Sequence, residues 1–215
     1  MTHAQLTEKI NLLGYQGFKE AYQRQNEDIT YATMSFEERV YQLLDAQEIF
    51  LKNKRITMNH RLSKIKDKHA ALDAIDYKPD RRIDKAQIHS LAQLNFIDAR
   101  QNVIITGKTG TGKSYIAQAF ANQAIYSGFR VYYVRTPSLL EEIRISRVDG
   151  TYTNLLKKYS RFKLLILDDF GVAPMVEDDA VNLFEIIEDR TNINSTIITS
   201  QLPVSQWYNY LNKDR

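Results

Sequence analysis

The chain has 215 residues and a net charge of +3 at pH 7, with 43% hydrophobic and 26% charged residues. That balance is typical of a soluble globular protein, and the length suits one ordinary domain, alone or with a small appendage. The absence of cysteine excludes disulfides and thiolate metal sites. No apolar run reaches the roughly 18 residues of a membrane span, and the opening residues lack the apolar stretch of a secretory signal, so a cytoplasmic protein without a membrane partner is expected.

The chain changes character near residue 75, with helix patterns before it and alternating apolar β-rich and helical runs after it. Residues 1–19 form a short amphipathic helix with Leu6, Ile10, Leu13 and Phe18 inward, weakened or broken by Gly14 and Gly17. Ser35 followed by Glu38 fits a capping box, and a long helix runs from there to about Ala74. Leu44, Leu51, Met58, Ile65 and Leu72 recur every seven residues on it. This is the spacing of a helical hairpin or a coiled-coil-like seam, the plainer alternative being one amphipathic helix packed on its own domain. Lys52, Lys54, Arg55, Arg61, Lys64, Lys66 and Lys68 lie along the same segment with Asp67 alone to offset them. A charge run is usually a solvated face, but one of a single sign also suits phosphate.

Residues 76–82, with Pro79, read as a linker, and a short helix from Asp84 to about Asn95 follows. Strand patterns at Val103–Thr106, Arg130–Arg135, Leu164–Asp168 and Thr196–Ser200 alternate with helix patterns at Lys113–Tyr126, Ser138–Arg147, Tyr152–Ser160 and Glu177–Thr191. That alternation predicts an α/β fold, a parallel sheet with helices on both sides, behind a small all-helical N-terminal domain. The expected domains are 1–72 and 73–215.

Gly107-Lys108-Thr109-Gly110-Thr111-Gly112-Lys113-Ser114 matches G-x-x-x-x-G-K-[ST] in full and sits between a strand and a helix that opens with Tyr115. The glycines let the loop wrap closely, its N–H groups face phosphate, Lys113 reaches the β- and γ-phosphates, and the Ser114 hydroxyl ligates Mg²⁺. ATP and Mg²⁺ are therefore the expected cofactors. Asp168 and Asp169 end the apolar run of residues 164–167, at the edge where open α/β sheets bind ligands. Asp168 is the second Mg²⁺ ligand and Asp169 the general base or water-positioning acid. Ser200 and Gln201, at the end of the last strand, are candidates for a polar sensor of the γ-phosphate, the alternative being an ordinary strand end ahead of Pro203. Tyr132, Tyr133 and Phe162 read as core packing, and Tyr77 as either packing or a stacking partner for adenine. His3, His60, His69 and His89 have no metal-ligand spacing.

With these motifs the chain resembles the AAA+ ATPases, and among them the IstB-type transposition helpers, with the DnaC-type helicase loaders close by. Beyond the ATP motifs, the resemblance rests on Ser35-Phe36-Glu37-Glu38-Arg39, Asp76-Tyr77, residues 167–171, residues 187–190, and the stretch from Ser200 to Trp207. It implies a three-layer P-loop core and ATP-driven self-assembly on double-stranded DNA, with recruitment of a transposase that stimulates ATP hydrolysis. Such proteins usually continue with a helix carrying a finger arginine and a fifth strand that flanks the P-loop strand in the order 5-1-4-3-2. This chain stops at Arg215, ahead of that segment. The resemblance thus leaves Val103–Thr106 as a bare sheet edge and puts hydrolysis in question, with Arg190 as a substitute finger. A fragment, a trimmed chain and a degenerate copy are the alternatives.

Arg144 and Arg147, with Lys157, Lys158 and Arg161, fall in the part that faces DNA in the resembled initiators and loaders. Together with Lys52, Lys54, Arg55 and Arg61 they are the candidate DNA contacts, against a reading as surface helix charge. A helicase loader, an ATP-responsive scaffold without turnover and a small-molecule kinase are the competing functions, the last without a visible lid or acceptor pocket.

Overall fold

The computed structural model describes residues 2–78, 81 and 83–211. The chain packs as two compact units, Met1–Met58 and Asn59–Arg215. The division falls earlier than the expected boundary at 72/73, because residues 59–75 are fastened to the ATP-motif unit. Asn59 Nδ2 donates to the Phe129 carbonyl at 3.2 Å, and Ile65, Ala70 and Ile75 are buried.

The first unit begins with α1 (His3–Leu12), opened by a capping box between Thr2 and Gln5, and α2 (Gln16–Glu27). The break falls at Gly14, whose φ of +70° suits glycine. Gly17 has a different role from the expected one. It lies inside α2, where a Cβ would meet the Ala46 carbonyl oxygen at 2.5 Å and Phe50 Cβ at 2.6 Å, so it permits close helix contact. Ile10 is buried as expected, whereas Leu13 is exposed.

Helix α3 (Phe36–Ser63) starts at the expected capping box, with Ser35 N to Glu38 Oε2 at 2.8 Å and Glu38 N to Ser35 Oγ at 3.2 Å. It ends at Ser63 and not near Ala74, because Lys64 turns left-handed with φ 58°. In the first unit it packs through Leu43, Ala46 and Phe50, and not through the seven-residue stripe. Leu44, Leu51 and Met58 remain 56%, 50% and 60% exposed.

In the second unit, the expected helix after the linker forms as α4 (Lys85–Ala92), capped by Asp84, and is followed by the single turn α5 (Asn95–Asp98). Pro79, Asp80 and Arg82 of the linker lie outside the described residues. The core then runs β1 (Val103–Thr106), α6 (Lys113–Tyr126), β2 (Val131–Arg135), α7 (Thr136–Val148), α8 (Tyr152–Ser160), β3 (Leu164–Phe170), α9 (Glu177–Arg190), β4 (Ser195–Ser200) and α10 (Trp207–Leu211). All four strands are parallel, in the order β1-β4-β3-β2. Tyr132, Leu165, Leu167 and Ile198 face a core made by α7, α8 and α9. The intervening Val131, Ile166 and Ile197 are also buried, and α6 packs on the sheet, so both faces are covered. β1 pairs only with β4 among the described residues, and Ile104 on it is 45% exposed. No helix among the described residues is long and apolar enough to cross a membrane.

Arg190 is 1% exposed. It donates to the carbonyls of Tyr159 (2.6 Å), Phe162 (2.9 Å) and Ser195 (2.6 Å) and to Thr196 Oγ1 (3.2 Å). Burial pulls its pKa down to about 10. It therefore clamps the start of β4 to the end of α8 and cannot reach a neighbour's nucleotide, which corrects the substitute-finger reading. Arg190→Ala leaves these acceptors unpaired in the interior and is expected to lower stability by about 3 kcal/mol or more. An unchanged midpoint in urea unfolding would contradict this role.

Candidate nucleotide site

Parallel pairing brings the C-terminal ends of the strands to one edge, with Thr106 beside Ser200 and Arg135 beside Asp168. The phosphate loop leaves β1 there, and Gly107 N extends the ladder to the Ser200 carbonyl at 3.1 Å. Gly110 and Gly112 have φ of 78° and 87°. Open space surrounds both, so the need for glycine comes from the backbone, whereas a Cβ on Gly107 would sit 3.0 Å from Thr111 Oγ1. Lys113 is buried, and its Nζ donates to the Lys108 carbonyl at 2.8 Å, an acceptor shared with Thr111 Oγ1 at 2.8 Å. Thr109 Oγ1 donates to Gln201 Oε1 at 2.7 Å. The Tyr115 side chain points away from the loop, its hydroxyl meeting Ala71 N at 3.2 Å and the Ala71 carbonyl at 3.3 Å. Only its backbone can therefore serve a phosphate.

Asp168 is 2% exposed and is the hub of the site. Ser114 Oγ donates to its Oδ1 at 2.9 Å, Thr199 Oγ1 donates to the same oxygen, and the Tyr133 hydroxyl donates to Oδ2. Burial, and after it the neighbouring carboxylate, pushes the Tyr133 phenol far above its ordinary pKa, so it stays a donor. Asp169 follows on a bulge in β3, with the register shifting between Leu167 and Phe170 and a φ of 60°. Successive strand residues normally face opposite ways, yet Asp168 and Asp169 meet Tyr133 and Arg135, which share a face of β2. Asp169 N donates to Thr199 Oγ1 at 3.1 Å, and Arg135 Nε donates to Asp169 Oδ2 at 2.8 Å. Asp169 in turn raises the Arg135 pKa.

Sequence reasoning missed Thr199, Tyr133 and Arg135. Ser200 turns to the other face of β4, where its hydroxyl donates to the Phe170 carbonyl at 2.8 Å and accepts from Leu202 N at 3.0 Å. Of the two residues expected to sense the γ-phosphate, Gln201 meets the phosphate loop at Thr109, whereas the Ser200 hydroxyl does not meet the acids and that of Thr199, one residue earlier, does. The register Arg135↔Asp168 places Tyr133 two residues back on the same face of β2, a signal visible only once the pairing is known. The Ser114 hydroxyl and the Asp168 carboxylate are hard oxygen donors in contact, which fits Mg²⁺. A cavity of about 310 Å³ runs along the outer edge of β1, between α4 and α6, and shares Gly107, Thr111 and Lys113 with the loop. Tyr77 is not among its lining residues. Its ring lies 5.6 Å from Lys85 Nζ.

The candidate DNA contacts divide into two groups. Arg144 forms an ion pair with the buried Asp179 at 2.5 Å and with Glu141 at 3.5 Å. Arg147 reaches Glu185 at 3.2 Å and Asn182, and stacks over Tyr152 at 3.4 Å. Lys158 pairs with Glu142 at 2.5 Å. These cations are committed to joining α7, α8 and α9. Lys52, Lys54, Arg55 and Arg61 are exposed and, among the described residues, have no acidic partner within ion-pair distance.

A hydrogen bond to a charged group contributes about 1.5–3 kcal/mol. Thr199→Ala should therefore weaken Mg²⁺-dependent binding of a fluorescent ATP analogue by about tenfold or more, while Ser200→Ala should leave the Mg²⁺ dependence unchanged. Titrations with and without Mg²⁺ check this, and equal losses in the two variants would contradict a special place for Thr199.

The family model for the IstB-like ATP binding protein matches residues 8–215. The chain is 39% identical over 173 residues to a protein named as an ATP-binding protein of insertion sequence IS1162 from Pseudomonas fluorescens, covering 80% of this chain and 75% of that one. It is 34% identical over 201 residues to the insertion-sequence ATP-binding protein y4pL of Sinorhizobium fredii, covering 94% and 82%. Among solved structures, the DnaC helicase loader superposes with a TM-score of 0.58 at 24% identity, covering 67% of this chain and 88% of that one. AMPPCP-bound DnaA from Aquifex aeolicus gives 0.60 at 21% identity, covering 68% of this chain and less than half, 46%, of that one. The structural likenesses show a fold shared with DnaA and DnaC, and the sequence match is decisive for kinship: the chain belongs to the IstB-like family of insertion-sequence ATP-binding proteins.

Proposed function

We propose that this protein is an ATP- and Mg²⁺-dependent helper of insertion-sequence transposition that assembles on double-stranded DNA in the cytoplasm and recruits a transposase. The observation that carries the reading is the contact between Ser114 of the phosphate loop and Asp168 of β3, in a chain whose relatives are named for insertion sequences. The loop amides and Lys113 take the β- and γ-phosphates, while Ser114 and Asp168 hold the metal, which neutralises developing charge on the phosphates when bound. Asp169 would orient water, and its carboxylate pairs with Arg135. Arg190 is locked in the interior and does not supply a turnover-stimulating cation. Self-assembly of copies would supply one, and finger arginines contribute about 10³–10⁵ in rate in comparable enzymes.

The exposed cations of the α3 segment are better placed than Arg144 and Arg147 to meet phosphate, because they have no carboxylate to leave. The helicase-loader alternative shares the fold with DnaC, but the relatives' names favour transposition. The test is binding of a labelled duplex of about 60 base pairs by the 215-residue chain, with and without ATP·Mg²⁺, beside Lys113→Ala. We expect ATP-dependent binding that is lost in the variant and falls steeply with salt. Equal affinity at low and high salt would contradict phosphate tracking. ATP binding without DNA binding would leave only a nucleotide-binding module.

A further inference from the structure

Arg61 in the last turn of α3 and Lys64, Lys66 and Lys68 in the segment that follows it are all exposed, and none has an acidic partner among the described residues. The acid among them, Asp67, is turned inward on its own backbone, its Oδ1 accepting from His69 N at 2.9 Å. The lysines are not on a loose tail. Ile65 and Ala70 are 5% and 3% exposed, so the chain alternates between anchored apolar residues and outward cations.

What holds this strap is one face of α6, the helix that begins at the phosphate-loop lysine. Tyr115, Gln118 and Asn122 lie three and four residues apart on that face. Gln118 Oε1 accepts from Lys66 N at 3.1 Å and Asp67 N at 2.9 Å, while its Nε2 donates to the Ser114 carbonyl at 3.2 Å. Asn122 Nδ2 donates to the carbonyls of Asp67 (3.1 Å) and Ala70 (2.7 Å). Tyr115 closes the latch at Ala71. A single buried amide thus joins the backbone of the basic strap to the backbone of the residue whose hydroxyl meets Asp168.

We propose that residues 61–71 form a duplex-phosphate-binding strap and that Gln118 couples its occupancy to the nucleotide site. This rests on the DNA-binding reading above. Phosphates held by Lys64, Lys66 and Lys68 fix the strap, the fixed strap fixes Gln118, and Gln118 fixes the first turn of α6 at Ser114. Linkage is reciprocal, so ATP·Mg²⁺ tightens duplex binding by the same factor by which the duplex tightens ATP·Mg²⁺.

The experiment measures the affinity of a fluorescent ATP analogue with Mg²⁺ for the full chain, with and without a duplex of about 60 base pairs, in three proteins. In the wild type the duplex should tighten the analogue by about fivefold or more. Gln118→Glu keeps the acceptor for Lys66 N and Asp67 N but loses the donor to Ser114. It should retain duplex affinity without nucleotide while its coupling factor falls toward one. The combined Lys64→Gln, Lys66→Gln, Lys68→Gln protein should bind the analogue alone as the wild type does. Its salt dependence of duplex binding should flatten by about 0.9 in the log–log slope per lost phosphate contact, a readout that stands even if the Gln118 variant folds poorly. A wild-type coupling factor near one, an unchanged factor in Gln118→Glu, or a wild-type salt slope in the lysine variant would each overturn the strap. No duplex binding by the wild type would sink the DNA-binding reading itself, and the strap with it.

Discussion

The buried carboxylate of Asp168 is the constraint on which the candidate nucleotide site depends. An acid 2% exposed is costly in a sheet interior unless its oxygens are met by donors. Here they are met by hydroxyls from elements far apart in sequence: Ser114 at the start of α6, Tyr133 on β2 and Thr199 on β4. Satisfying one side chain therefore fixes the phosphate-loop helix and three neighbouring strands relative to one another. The parallel order β1-β4-β3-β2 is what makes that convergence possible, since it delivers the ends of β2, β3 and β4 to one edge.

The same economy governs the cations. Arg190 is spent on carbonyls inside the core, and Arg144, Arg147 and Lys158 on carboxylates that lace α7, α8 and α9. An arginine already engaged in a bidentate pair with a buried aspartate gives up that pairing to reach phosphate. The lysines after α3 give up nothing, and they stand on backbone that Gln118 and Asn122 hold against the phosphate-loop helix. Position along the chain suggested both groups as DNA contacts. Pairing sets Arg144, Arg147 and Lys158 apart.

Much of the architecture was legible from periodicity. The limits of α6 and α8, the four strands and the cap at Ser35 follow from patterns a few residues long, because each depends on local hydrogen bonding and on one buried face. The end of α3 was not legible. The seven-residue spacing of Leu44, Leu51 and Met58 continues through Ile65 and Leu72, but the backbone turns at Lys64 and the repeat beyond it belongs to a strap and not to a helix. Hydrophobic spacing registers burial and does not register a change of direction between buried residues.

The sequence by itself determined the phosphate loop, the acid pair at the end of β3, the parallel α/β core and the family, since each is carried by residues close together whose spacing has a direct physical meaning. Only the tertiary structure decided which polar residue of β4 meets the acids. Thr199 does so and Ser200 does not, because strand parity and the bulge at Asp169 are set by pairing with β3. It also decided that Tyr133 and Arg135 meet the acid pair and Arg190 does not. Those are contacts between strands and helices many residues apart, and no local pattern encodes them.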